Sequence, residues 1–431
     1  MVCLLNIMFK NFHGNFIKNI GIAVTGTSLS QIISLMFYPI FTRLYSSEDF
    51  GLMALFMSVT TSVVVISSGA YEQAILICKD KVELDNLMKL ILIRSLIMLA
   101  VISLTLLVLL NTAPLFLNYK VYQNWIFIVS LTAFFTIIYG SYNEYCVKQK
   151  KFKNLGVSKV YNSLFVSLQK SINKFLSFIS NGLIFGELIG KGILSLICLR
   201  SMKSMGANIF KDYNIKVLNK TRQKFKVYPR FMMFDLLINT LGGSVHVYII
   251  LLFFNASELG YISLSLSLLT LPVTVISGGI KDVFREKANQ LFISSGSCRK
   301  LYVDLLKPLA VLGFIGFGIL YFIVPYAIPL ALGSDWGKSG LYAQYLIPLF
   351  YFNFVSMSLG GIFVIANKIK ISLYWQIFNI TITVLALFIG SALYNSIIVT
   401  IGLFSLAKSI SYIVYMIISY KYSVSKDYGK N

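Results

Sequence analysis

The chain has 431 residues, of which 57% are hydrophobic and only 13% charged, against about a quarter charged in an ordinary soluble domain. Its formal net charge is +22, but the lysines and arginines lie between long apolar runs instead of covering one surface. That distribution argues against a nucleic-acid partner and against a set of soluble domains.

Windows of about 20 mostly apolar residues predict membrane helices near 20–41, 52–77, 90–112, 124–146, 156–178, 182–199, 231–253, 259–280, 305–331, 341–366, 371–391 and 397–419. The runs are continuous and lack two-residue alternation, so helices are expected and a barrel is not. The expected fold is an all-α polytopic membrane protein: twelve helices in two parallel six-helix halves around a central cavity. Residues 1–200 form the first half, 201–230 a basic linker and 231–431 the second half.

The first span is too long for a signal-peptide core and no small-x-small site follows it, so it reads as retained. With a cytoplasmic N-terminus and alternating sides, about 30 of the 38 Lys and Arg fall on cytoplasmic segments, as the positive-inside rule requires. The densest is Arg200 to Arg230, whereas outer loops hold mainly Arg43, Lys120 and Lys338. Such cationic segments set topology and meet anionic lipid. Cys3, Cys78, Cys146, Cys198 and Cys298 are odd in number and fall on cytoplasmic segments or helix ends, which does not suit a disulfide framework.

"SSED" (Ser46 to Asp49) opens the second span and reads as a helix cap, not a pair of catalytic acids. The fifth span contains "KVYNSLFVSLQKSINKF" (Lys159 to Phe175). Removing it from the membrane would export the basic linker, so it is read as crossing. At 100° per residue Lys170 falls about 20° and Lys174 about 60° from Lys159, with Ser163 and Ser167 in the same sector. Lys159 and Lys174 are near enough to the ends to snorkel. Lys170 is about two turns deep, where a charge costs roughly 2.5 to 3.5 kcal/mol, and it is expected to face a water-filled cavity.

In the sixth span Gly182, Gly186 and Gly190 have small-xxx-small spacing for helix packing, and Glu187 and Lys191 form an i,i+4 pair. The seventh carries Asp235, Asn239, Gly242 and His246 within about 60° of one another. Pro272 should loosen the eighth. "LGSDWGKSG" (Leu332 to Gly340) is one residue short of a phosphate loop. No metal constellation or nucleophile grouping is present in the sequence, so no catalytic residue, metal ligand or cofactor is assigned. The longest outer connection, about ten residues, leaves little room for a polymerase or ligase platform.

At an offset of 209 residues, Asp49 to Gly69 falls on Glu258 to Gly278 without a gap, with identities that include Gly51/Gly260, Ser58/Ser267, Thr61/Thr270 and Gly69/Gly278. Six spans per half would make these parallel repeats, which usually enclose the substrate site between them.

"TRLYSSEDFGLMALFMSV" (Thr42 to Val59) followed by "SSGAYEQAILICKD" (Ser67 to Asp80) resembles the signature of bacterial polysaccharide repeat-unit flippases. These are the O-antigen and capsule transporters of the multidrug/oligosaccharidyl-lipid/polysaccharide exporter superfamily. Arg43, Leu44, Tyr45, Ser46, Glu48, Asp49, Phe50 and Gly51 match, as do Tyr71, Glu72, Ala74 and Ile75; Ser47 replaces a usual proline and Ala70 a usual arginine. The resemblance implies a multi-pass inner-membrane transporter, not an enzyme, with both termini cytoplasmic. It would move undecaprenyl-diphosphate-linked oligosaccharide to the periplasmic leaflet, beside a polysaccharide polymerase and its chain-length machinery. Lys170, with Lys174 and Lys159, is then expected to pair with the diphosphate or acidic sugars. Asp235, Asn239 and His246 would line the opposing half, with Arg43 at the outer mouth. A multidrug or cation antiporter of the same superfamily and an integral-membrane glycosyltransferase are the alternatives.

Overall fold

The computed structural model describes residues 14–112, 123–175, 181–209, 214–366 and 368–424. Among them are twelve helices of 20 residues or more. They are α1 (Gly14–Leu44), α2 (Ser47–Ser68), α3 (Lys81–Thr112), α4 (Gln123–Lys148), α5 (Phe152–Asn173) and α6 (Gly182–Ser204), then α7 (Met233–Phe253), α8 (Ala256–Ser295), α9 (Arg299–Leu332), α10 (Gly337–Ser358), α11 (Ile369–Phe388) and α12 (Ile397–Lys421). Ten of them, all but α1 and α5, are long and apolar enough to cross a membrane. The protein is therefore an all-α multi-pass membrane protein. No strand forms among the described residues, as expected where lipid offers backbone groups no partner. Prolines lie inside α1, α8, α9 and α10, and at Pro325 of α9 the freed Tyr321 carbonyl accepts from Gln344 Nε2 of α10 at 3.0 Å.

The described residues group into two compact units, drawn from Asn15–Phe37 with Leu52–Ser244 and from Tyr38–Gly51 with Val245–Asn431. In the first, α5 and α6 pack at glycine contacts. A Cβ on Gly186 would lie 2.5 Å from Lys170 Cα, and one on Gly190 2.6 Å from Val166 Cα, so only hydrogen permits the approach. The small-xxx-small reading of α6 is realised. On its other side α5 meets α1, where a Cβ on Gly26 would come within 2.5 Å of Gly156 Cα. The basic stretch after α6 forms a short helix, Ile215–Lys224, capped by the Asn214 side chain, which accepts from Lys216 N at 2.9 Å. Lys224 pairs with Glu83 at the start of α3, and Phe225 is buried in the same core as Cys78 and Met202.

In the second unit the α1–α2 corner sits against the α7–α8 corner, and the contact is reciprocal. A Cβ on Gly51 would overlap the carbonyl of Ala256, and one on Gly260 the carbonyl of Ser47. Both pairs are related by the 209-residue offset, so residue i meets j′ while its equivalent meets j, the mark of a local two-fold. The caps correspond too. Ser46 Oγ accepts from Asp49 N (3.2 Å) while Asp49 Oδ2 accepts from Ser46 N (3.1 Å), confirming the cap reading of "SSED". At the equivalent place Asn255 Oδ1 accepts from Glu258 N at 2.9 Å. Glu258 has a further task, holding Lys338 (2.7 Å) and the Tyr342 hydroxyl (2.5 Å). Trp336 is buried against Phe50 and Tyr261 and donates its indole N–H to Thr42 O at 3.0 Å. The "GSDWGKS" segment is thus a plug over the helix corners.

Candidate functional site

The α5–α6 contact brings three charges together inside the first unit. Because Gly186 lets the helices touch at Lys170, the next residue of α6 is delivered to the lysine: Lys170 Nζ lies 2.7 Å from Glu187 Oε2. Lys191, one turn on, is 4.0 Å from the other carboxylate oxygen. It donates to Asn162 Oδ1 at 2.8 Å and lies 4.8 Å over the Tyr139 ring. The side chains of Lys170, Glu187 and Lys191 are 16%, 7% and 11% exposed, so the group is buried. Two lysines share one carboxylate, and the cluster keeps one positive charge. Pairing offsets part of the penalty for burying these ions, and the remaining formal charge is left for something anionic.

This corrects two expectations. Lys170 is buried against Glu187, where a charge facing a water-filled cavity was expected. Glu187 and Lys191 are not a self-contained pair, since the shorter contact of Glu187 is to the neighbouring helix. Lys159, nearer the start of α5, donates to Thr27 Oγ1 on α1 at 2.8 Å, and Ser163 and Ser34 bond at 3.2 Å between the same helices. The polar stripe read on one face of α5 therefore lies partly against α1 and partly against α6. Lys174 is exposed just past the end of α5.

The seventh-span residues do not come together with partners of one kind. Asp235 is half-buried in the first turn of α7 and Asn239 is exposed. His246 lies in the second unit, its ring 5.6 Å from Phe404 of α12. Arg43 is exposed in the last turn of α1, beside the Thr42 carbonyl that holds Trp336.

By sequence, residues 40–340 match the family described as polysaccharide biosynthesis protein. The chain belongs to that family. No curated protein matches it by sequence. In fold, this family member is similar to an inward-facing multidrug resistance MATE family transporter of the MOP superfamily, with TM-score 0.68 and 13% identity over 92% of this chain and 97% of that one. It is equally similar to the lipid II flippase MurJ in an inward closed conformation: TM-score 0.68 and 16% identity over 93% and 87%. A MOP superfamily transporter from Pyrococcus furiosus, noted for the reversed polarity of its binding pocket, aligns at TM-score 0.55 and 14% identity over 92% and 94%. The signature read between Thr42 and Asp80 is upheld at the level of family and of superfamily fold.

The turn after α2 holds Ala70, which stands where that signature has an arginine. Gly69 and Ala70 are both left-handed (φ 64° and 59°), an uncommon conformation for alanine. The Arg94 guanidinium, from α3, lies where a Gly69 side chain would be: a Cβ there would be 2.5 Å from Arg94 Nε. Arg94 also reaches Ile66 O at the end of α2 (3.4 Å) and the Tyr71 ring (5.6 Å), a favourable place for a cation. Beside it Glu72 accepts from Ser68 Oγ at 2.9 Å while its second oxygen, Oε2, is buried without a hydrogen bond. Burial raises this carboxyl above the usual range, against the hydrogen bonds and Arg94.

Two residues escaped the sequence reading. Asn162 is neutral and gave no signal on its own. Lys408 did carry one, since it is a lone lysine near the middle of the twelfth span. It lies 3.3 Å from Asn379 Oδ1 of α11.

Proposed function

We propose that the protein is a flippase that moves undecaprenyl-diphosphate-linked oligosaccharide repeat units from the cytoplasmic to the periplasmic leaflet of a bacterial inner membrane, with both termini cytoplasmic. The observation that carries this reading is the buried Lys170–Glu187–Lys191 cluster with its one excess positive charge. A diphosphate is a multiply charged acceptor that competes with Glu187 for both ammonium groups, and lysine is suited to it as a mobile point charge. At rest Glu187 keeps the lysines paired, so the site need not hold two bare cations in the membrane. Asn162 and Tyr139 add a polar contact and a ring beside them, which suits sugar hydroxyls and faces. Lys159 with Thr27 extends the polar path along α5, and Lys174 offers a charge at its end. Asp235, Asn239 and His246 are the candidates on α7, and Arg43 on α1. The isoprenoid chain stays in lipid, and a polymerase with its chain-length machinery receives the sugar, for O-antigen, capsule or a related polymer.

The second reading, a multidrug or cation antiporter, is favoured by the equal likeness to a multidrug resistance MATE family transporter. An excess of lysine over carboxylate is the wrong sign for a cationic drug, and deletion that leaves drug susceptibility unchanged would remove this reading. Sugar transfer by the purified protein alone would instead support a glycosyltransferase.

Lys170→Ala is the direct test, because it leaves the Glu187–Lys191 pair in place. Expressed in a strain lacking its own repeat-unit flippase, the variant should fail to restore surface polysaccharide when compared at matched amounts of folded membrane protein, whereas Lys170→Arg should restore it in part. Full restoration by Lys170→Ala would overturn the assignment.

A further inference from the structure

We infer that Lys408 and Asn379 form a second anion-binding site, in the second unit, which takes a phosphate or carboxylate group of the transported molecule. This rests on the flippase reading and extends it to residues outside the α5–α6 cluster. Lys408 sits near the middle of α12, in a helix that otherwise carries no charged residue before its terminal Lys421. Its ammonium donates to the neutral Asn379 Oδ1 at 3.3 Å, and no carboxylate lies within ion-pairing distance among the described residues. The contrast with Lys170 is informative. There the fold supplies Glu187 as a counter-ion, and here it supplies an amide.

An intramembrane cation without a counter-ion is costly and marks an ion or substrate path. One turn before Asn379 on α11, Gln376 Oε1 is buried and accepts no hydrogen bond. An ammonium with one amide partner, near a buried acceptor in want of a donor, matches a ligand that offers both an anion and hydroxyls. One turn before Lys408 on α12, Phe404 packs against His246 of α7. The lysine thus has its partner on α11, and His246 of α7 meets α12 one turn away.

The anion can come from the lipid carrier's diphosphate or from an acidic sugar, and the test separates them. The full chain is purified in neutral detergent and its lysines are methylated reductively, with and without farnesyl diphosphate, glucuronate or farnesol, and read by mass spectrometry. Lys408 should be protected several-fold by farnesyl diphosphate if it meets the carrier, or by glucuronate if it meets the sugar, and by farnesol in neither case. Lys408→Gln should weaken binding of the protecting ligand about tenfold, a typical effect for one charge-assisted contact, and Lys408→Arg should retain it. Protection of Lys170 but not Lys408 would overturn this site and leave the flippase reading standing. Protection of neither lysine by either anion would overturn both. Since protection is measured on the unaltered protein, a variant that misfolds does not decide the outcome.

Discussion

Replacing Glu187 by glutamine should damage the protein more than replacing Lys170 by glutamine, although Lys170 makes the shorter contact. At an effective dielectric constant of about 20, the 2.7 Å contact to Lys170 is worth on the order of 6 kcal/mol and the 4.0 Å contact to Lys191 about 4 kcal/mol, before desolvation is subtracted. Lys170→Gln forfeits the first and leaves a one-to-one pair with zero net charge. Glu187→Gln forfeits both and strands two lysines that repel each other. Removing one member of a buried pair costs about 3 to 5 kcal/mol net, and Glu187→Gln should lie at the upper end of that range. For a chain of this size the loss corresponds to a fall on the order of 5 °C in melting temperature. Thermal unfolding of the full-length protein in detergent, followed by fluorescence-detected size exclusion at low salt, gives the ranking. If Glu187→Gln melts at or above the wild type, or above Lys170→Gln, the carboxylate is not the shared counter-ion and the cluster has been misread.

Glycine geometry gives a second prediction. Gly186→Ala places a Cβ 2.5 Å from the Lys170 backbone, so α5 and α6 must part by about 1 Å to reach ordinary contact, and the ion pair lengthens with them. Less folded protein and lost transport are expected, whereas Gly140→Ala in α4, where nothing lies within 4 Å, should be neutral or stabilising by about 0.5 to 1 kcal/mol. At the turn after α2, burial raises the Glu72 carboxyl in the folded state. The stability this group contributes is therefore present below its unfolded value, about 4.3, and is lost as pH rises through the raised folded value. Glu72→Gln should melt higher than the wild type at pH 8 and show a smaller advantage at pH 5; an equal advantage at both would mean that Glu72 does not titrate differently on folding.

Ten of the helices were legible because hydrophobic length is a one-dimensional property, whereas α5 was read from the alternation of charged segments. The repeat was legible because equivalent glycines occupy equivalent contacts. The α6 glycine spacing was read correctly as packing, but the sequence does not say which helix packs there, so the partner of Lys170 stayed hidden although Glu187 adjoins the key glycine. A helical wheel reports one helix at a time and placed the α5 stripe toward water, where the fold divides it between α1 and α6. Lys408 was recoverable by asking which charges lie at mid-span, a question of depth that face-by-face analysis does not pose.

The Gly51–Gly260 contact, in which each glycine lies under the other corner's carbonyl, has a mechanical consequence. Each corner is at once a knob and a socket, so neither can slide past the other without driving a carbonyl oxygen into a backbone. The two corners behave as a press-stud, free to separate by moving straight apart and resistant to shear. Because each corner supplies one glycine and one carbonyl to the reciprocal contact, a residue inserted in either corner would break both contacts at once. The two turns are constrained to keep the same length.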